Sequence, residues 1–289
     1  MSEPIVPRFH EGRLAGRIAL VTGASRMRGI GRATALRLAA EGADVVVAGR
    51  ARPLASLSEA EQAVDWQGSA SVAEEIRTMG RRAIAVTGDV TVAAEVSAMF
   101  DRAEAEIGVI DAVVNNAGAI AGSGTAPIAE LSDALWSEGI SVNLDSVFYV
   151  CRVAAQRLIR AQQGGAIVNV SSIAGRSGDP YHAAYCVAKS GVITLTQQLS
   201  RELARHNIRV NCLCPGLSDT DLMVRGVNEA AGRTGTADAE IRTSWTRKIP
   251  LRRAARPSDQ AAAIAFLIGP DADFITGQSL NVDGGARMN

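Results

Sequence analysis

The stretch Arg17-Ile18-Ala19-Leu20-Val21-Thr22-Gly23-Ala24-Ser25-Arg26-Met27-Arg28-Gly29-Ile30-Gly31-Arg32-Ala33-Thr34-Ala35-Leu36 decides the fold. It opens with a short apolar run that reads as a buried strand. A glycine-rich segment follows, and then the Ala- and Leu-rich residues 32–41 have the composition of a helix. Gly42 is a good helix stop. Ala43-Asp44-Val45-Val46-Val47-Ala48 reads as a second strand. Strand, glycine loop, helix and strand in this order form the dinucleotide-binding opening of a doubly wound fold. Glycines let the backbone approach a pyrophosphate, and the helix N-terminus favours its charge. A glycine loop alone is a weak signal; one flanked by these elements is a much stronger one.

The rest of the chain continues the alternation. Further strands are expected at residues 83–86, 111–114, 166–170, 208–213 and 279–282, with helices at 71–80, 92–107, from Trp136 to about Gln162, after Pro180, and at 258–268. This pattern predicts an α/β protein: one doubly wound Rossmann-type domain, with a mostly parallel seven-stranded sheet and helices on both faces. The expected organisation is an N-terminal tail over residues 1–15 and one dinucleotide-binding catalytic domain over 16–289. Two additions interrupt it. Residues 51–70 form an insertion where a connection of about 2–6 residues is usual, with a short helix expected at 59–66. It falls beside the adenosine end of a bound dinucleotide, and reads either as functional or as a variable surface loop. Residues 217–256 form a long loop with a helical patch, suited to covering a substrate.

Composition excludes several classes. Thirty basic residues balance thirty acidic ones, so no basic face for nucleic acid is indicated. No apolar run approaches the ~20 residues that span a bilayer, and the N-terminus has no secretion segment, so a cytoplasmic protein with no membrane partner is expected. The four cysteines, Cys151, Cys186, Cys212 and Cys214, match no zinc spacing and read as structural thiols. His10, His182 and His206 are too scattered for a metal site or a Ser-His-Asp triad, and no metal is expected. His182 could line a substrate pocket, although a surface histidine is the plainer reading.

Tyr185 and Lys189 are four apart in a helical, Ala-rich stretch, which puts them on one face. A free tyrosine titrates near pH ~10, and a neighbouring ammonium favours the phenolate. Ser172 lies just past the strand Ala166-Ile167-Val168-Asn169-Val170, so strand end, loop and helix can bring its hydroxyl to the phenol. Such a group suits proton transfer to or from an alcohol or carbonyl oxygen.

With these pieces placed, the chain resembles the short-chain dehydrogenases/reductases, and among them the 3-oxoacyl-thioester reductases. The resemblance rests on Thr22-Gly23 with Gly29-Ile30-Gly31, Asp89-Val90, Asn115-Asn116-Ala117-Gly118, Ser172 with Tyr185 and Lys189, and Cys214-Pro215-Gly216. Residues 275–285, ITGQSLNVDGG, match the family's common ending. The resemblance implies a catalytic tetrad of Asn143, Ser172, Tyr185 and Lys189. Tyr185 is then the acid in reduction and the base in oxidation. Ser172 holds the substrate oxygen. Lys189 binds the nicotinamide ribose and lowers the Tyr185 pKa, and Asn143 holds a relay water. Coenzyme contacts are implied for Gly23, Ser25, Arg26, Arg28, Gly29, Ile30, Arg50, Asp89, Val90, Asn116, Ala117, Gly118, Tyr185, Lys189, Pro215, Gly216 and Thr220. Asn143 could instead bend its helix, and Asn115–Gly118 could be half structural. The family also implies a homotetramer, or a dimer, built through the two long central helices and the last strand.

The choice of coenzyme turns on the end of the second strand. NAD selection wants a carboxylate there for the ribose hydroxyl, but Gly49 occupies the position and Arg50 follows. Arg26 and Arg28 stand in a glycine loop two residues longer than the family's usual one. Arginine's planar fork suits a phosphate. The expectation is an NADP(H)-dependent oxidoreductase interconverting a ketone and a secondary alcohol, with NAD possible. The alternatives are an NAD-dependent alcohol or sugar dehydrogenase of the same family, and a non-catalytic NADP-binding sensor. Substrate contacts are expected from residues 119–125, 176–182 and 217–256. There Trp245 and Met223 could cap an apolar pocket or pack a lid onto the body.

Overall fold

The computed structural model describes residues 12–53, 56–120 and 125–288. The first strand, β1 (Ile18–Thr22), is followed by the helix α1 (Ile30–Ala40) and β2 (Asp44–Gly49). The insertion carries α2 (Glu59–Ala63), which leads to α3 (Ser69–Thr78) and β3 (Ala83–Thr87). Then come α4 (Ala93–Ile107), β4 (Ala112–Asn115), α5 (Asp133–Ile140), α6 (Ser146–Ala161), β5 (Gly165–Val170), α7 (Ala183–Leu203) and β6 (Ile208–Pro215). The chain closes with α8 (Asp221–Thr234), α9 (Asp238–Arg247), α10 (Pro257–Ile268) and β7 (Ser279–Val282).

The strands form one seven-stranded sheet in the order β3-β2-β1-β4-β5-β6-β7. Every neighbouring pair is parallel, so the sheet expected to be mostly parallel is wholly so. Strand side chains alternate between faces. Ala19, Val21, Val45, Val47, Val114 and Val168 enter one core beneath α1, α3 and α10. Leu20, Val46, Val113, Ile167, Val210 and Cys212 enter the other, beneath α4, α6 and α7. Both faces are buried, which is why the strands read as unbroken apolar runs.

Three local features depart from the expectations. Residues 12–15, assigned to the tail, form a turn whose Leu14 is fully buried and whose Arg13 bonds Glu41 and Asp271; residues 1–11 lie outside the described residues. The long helix through Asn143 is broken by one π-helical turn, Ser141–Asp145, between α5 and α6. The loop after β6 holds two helices rather than one patch, and Met223, Val227, Ala230 and Ile241 pack them together with Trp245 at the margin. Met223 and Trp245 therefore build the lid itself. All four cysteines are free and buried, as their spacing implied.

Candidate active site

In an open parallel sheet, ligands bind beyond the carboxyl ends of the strands, and the expected site residues gather along that edge. The glycine loop leaves β1, and Arg50 and Asp89 follow β2 and β3. Residues 116–118 follow β4, Ser172 follows β5, and Pro215, Gly216 and Thr220 lie at the end of β6 and the start of α8.

The glycine loop is pressed against the end of β4. Gly23 has φ +66, and a Cβ there would lie 2.6 Å from the Ala117 Cα. A Cβ on Gly31 would lie 2.6 Å from the Asn116 side-chain nitrogen. That nitrogen donates to the Thr22 and Gly23 carbonyls at 2.9 and 3.1 Å. The buried Thr22 hydroxyl accepts from the Asn116 and Ala117 amides, both at 3.1 Å. Any side chain at Gly23 or Gly31 would push loop and strand apart, so the loop lies flat and its backbone borders the strand edge.

Asn143, Ser172, Tyr185 and Lys189 converge beside it. Ser172 caps a short 3-10 turn, its hydroxyl accepting from the Ala174 amide at 3.1 Å, and it lies near enough to the Tyr185 phenol to favour its ionised form. Lys189, one turn along α7, donates to the Val170 carbonyl at 2.9 Å and lies 5.7 Å from the centre of the Tyr185 ring. A methyl built on Gly118 would sit 3.0 Å from Asn143 Oδ1 and 3.2 Å from Lys189 Nζ, so these two polar groups face one small space. The π turn places Asn143 there. Its amide donates to the Ala119 and Gly139 carbonyls at 2.9 and 3.0 Å, and its oxygen accepts from the Ala119 amide at 3.1 Å. Asn143 therefore holds the bent helix to the strand end, the structural role that the sequence left open beside the relay; π turns of this kind often mark functional positions.

The electrostatics differ from the expectation in one respect. Burial pushes the Tyr185 phenol up to about 12, and the nearby Ser172 hydroxyl recovers only part of that. Burial likewise pushes the Lys189 ammonium down to about 8. The lysine is no source of the phenol's shift here: it lies over the ring face and gives one of its three donors to the Val170 carbonyl. In this geometry Tyr185 is a neutral acid and Lys189 a cation easily discharged.

The coenzyme-side residues are placed as follows. A Cβ on Gly49 would meet Ser69 Oγ at 2.8 Å and Ser25 Cβ at 2.9 Å, so the position leaves no room for a carboxylate. Arg50 is exposed and reaches Asp89 at 3.4 Å. Burial acts against the Asp89 carboxylate, but bonds from Thr91 and the charge of Arg50 hold its pKa below the usual range. Val90 packs against the α4 side of the core. Arg28 turns to the lid and pairs with Asp219 at 2.8 Å. Arg26 is half-buried with Asp221 3.9 Å away. Of the expected substrate segments, residues 121–124 lie outside the described residues. His182 bonds the Pro180 carbonyl beside the positive-φ Tyr181, whose ring meets Arg233 of the lid.

Sequence reasoning missed Glu61 and Trp66, which tie the insertion to the glycine loop. Ser58-x-x-Glu61 is a capping-box signature that could have fixed the start of α2. Nothing local pointed to the loop partners, Met27 and Ser25. Also missed was a buried chain from Asn115 to Asn169 to Thr196, which joins β4, β5 and α7 behind the site.

Among the described residues no helix is long and apolar enough to cross a membrane, and no cluster of His, Cys, Asp or Glu could hold a metal ion.

Comparison with known proteins agrees with this geometry. A family model described as enoyl-(acyl carrier protein) reductase matches residues 23–287. The chain is 40% identical to a cis-4-hydroxycyclohexanecarboxylate dehydrogenase of Sinomonas cyclohexanicum over 94% of its own length and 96% of that protein's. It is 36% identical to a 3-oxoacyl-[acyl-carrier-protein] reductase of Chlamydia muridarum, over 94% and 98% of the two lengths. Among solved structures, an actinorhodin polyketide ketoreductase with NADPH superposes with a TM-score of 0.82 at 33% identity, covering 96% of this chain and 99% of the other. A short-chain type dehydrogenase/reductase from Mycobacterium marinum gives 0.80 at 31% identity, with 96% and 97% covered. A full-length match to relatives of one fold, with a Ser-Tyr-Lys cluster at the sheet edge, places this chain in the short-chain dehydrogenase/reductase family.

Proposed function

We propose that the protein is an NADP(H)-dependent oxidoreductase that interconverts a ketone and a secondary alcohol, with Tyr185 as the proton donor and acceptor. The observation that carries this reading is the gathering of four side chains at the strand ends: Lys189 Nζ lies 5.7 Å from the centre of the Tyr185 ring and faces Asn143 Oδ1 across Gly118, with the Ser172 hydroxyl beside the phenol. Bound NADP(H) supplies the hydride. In reduction, Tyr185 gives its proton to the substrate oxygen, which the Ser172 hydroxyl holds and orients. Lys189, its proton loosely held by burial, is suited to reload the phenol through the space it shares with Asn143. Oxidation runs the same transfers backwards.

The residues present fit the coenzyme. Gly23 and Gly31 let the glycine loop lie flat against the end of β4, which brings loop backbone to the strand edge where a pyrophosphate would lie, and the crowding at Gly49 excludes the carboxylate that selects NAD. Arg26 and Arg50 supply cations for an adenosine phosphate. A second reading, an NAD-linked dehydrogenase acting on a hydroxy acid, draws support from the pairing of Arg50 with Asp89 and from the name of the Sinomonas relative. The completeness of the cluster argues against a sensor without turnover. The exposed apolar residues Phe148 and Ile159 on α6, Val187 on α7 and Leu280 on β7 support a homotetramer built through these elements.

The test is a panel of ketones and secondary alcohols followed by NADPH absorbance, with NADH in parallel and Tyr185→Phe as control. The variant is expected to bind NADPH and lose nearly all turnover. Undiminished turnover would refute the role given to Tyr185, and a higher kcat/KM with NADH would favour the second reading.

A further inference from the structure

The insertion and the lengthened glycine loop are two departures from the family pattern that the structure joins into one unit. Within the insertion, Glu61 is 1% exposed and forms a capping box with Ser58. Arg52 forks onto its carboxylate at 2.6 and 2.9 Å. The same carboxylate crosses to the glycine loop and accepts the Met27 amide at 3.1 Å. Burial opposes the charge on Glu61, yet the Arg52 fork and the two amides hold it at about 2, so it stays ionised at any working pH. Five residues on, the buried Trp66 indole donates to the Ser25 carbonyl at 2.9 Å. Arg32 lies over the Trp66 ring, forks onto Glu75 and donates to the Met27 carbonyl at 3.1 Å.

The two residues so tied, Ser25 and Met27, flank Arg26. The peptide on its N-terminal side is held by Trp66 and the peptide on its C-terminal side by Glu61, so the insertion fixes the Arg26 backbone at both ends. The side chain has Asp221 at 3.9 Å as its ion-pair partner, in surroundings where the carboxylates of Asp221 and Glu61 are matched by the cations of Arg52 and Arg225. A guanidinium clamped at its root, with only one long ion pair of its own, suits an anion delivered from outside.

We propose that Glu61 and Trp66 are positioning residues that hold Arg26 for the adenosine phosphate of the coenzyme. The proposal rests on the NADP(H) reading above. The insertion is then part of coenzyme recognition, although none of its residues need touch the coenzyme.

The test is titration of wild type, Glu61→Gln and Trp66→Phe with NADPH and with NADH, read by coenzyme fluorescence, with kcat and KM measured alongside. Trp66→Phe keeps an aromatic ring but removes the indole donor and part of its volume, and thermal melting verifies that it is folded even if Glu61→Gln, which strands Arg52, is not. Losing one fixed hydrogen bond on the loop is expected to raise Kd for NADPH about ten-fold, leave Kd for NADH within about two-fold, and leave kcat at saturating NADPH unchanged. In an Arg26→Ala background, Trp66→Phe should cost nothing more. Equal weakening of both coenzymes, no weakening, or an undiminished loss in the Arg26→Ala background would each overturn the positioning role. A wild-type protein that binds NADH more tightly than NADPH overturns the coenzyme reading itself, and that result is read before any variant is compared.

Discussion

Replacing Lys189 with methionine should abolish turnover and change how stability depends on pH. Lys189 is 3% exposed, and burial lowers its pKa from 10.5 to about 8. Because the folded value lies below the unfolded one, the unfolded chain binds more protons between pH 8 and 10.5, and wild-type stability rises with pH across that window. Holding the ammonium at pH 7 costs the fold about 3 kcal/mol, most of which is recovered by pH 10. The Tyr185 phenol works the other way above pH 10: its folded value of about 12 exceeds the ordinary 10.0, so stability falls as the unfolded tyrosine ionises first. The comparison therefore stops at pH 10. Methionine matches the length of the lysine stem but cannot donate to the Val170 carbonyl, a loss of about 1–3 kcal/mol that does not vary with pH. Urea unfolding of both proteins at pH 7, 8, 9 and 10 separates the two effects. Wild type should gain roughly 2–3 kcal/mol on Lys189→Met over this range. Two stability curves that stay parallel in pH would show that the buried amine carries no such penalty, and the argument from burial would fail.

Three further outcomes are expected. Gly49→Asp forces a Cβ to 2.8 Å from Ser69 Oγ; it should lower stability by about 1–3 kcal/mol and fail to create an NADH preference, as melting and initial rates with both coenzymes can check. Thr22→Val keeps the shape of a residue 1% exposed but strips the Ala117 amide of its acceptor, for a loss of about 1–3 kcal/mol in denaturant titration. Asn143→Ala removes the hydrogen bonds that this side chain makes with the Ala119 backbone and the Gly139 carbonyl; a loss of about 2–4 kcal/mol is expected, and turnover should fall further than the folded fraction measured by circular dichroism.

The fold was legible because both faces of the sheet are covered. Strands such as Asp44–Gly49 then read as continuous Val-rich runs, and the glycine spacing after β1 names the connection. The candidate cluster was legible for a local reason: Tyr185 and Lys189 lie one turn apart on α7, and Ser172 follows a strand end directly. What escaped was non-local. The partners of Glu61 and Trp66 lie 34 and 41 residues away, and no spacing rule links them. The π turn at Ser141–Asp145 left no mark in composition, since it changes only which carbonyl each amide meets. The raised phenol also escaped, because burial, which dominates it, is a property of the packed molecule.

The order of the sheet bears on how such a protein can be made. Starting from β1, each later strand joins the outer side of one already present: β2 and β3 extend one flank, and β4 through β7 extend the other. No strand must wedge between two that are already paired. A chain emerging from the ribosome can thus assemble its sheet by accretion alone, with one growing margin open on each flank until the neighbour that seals it has been synthesised.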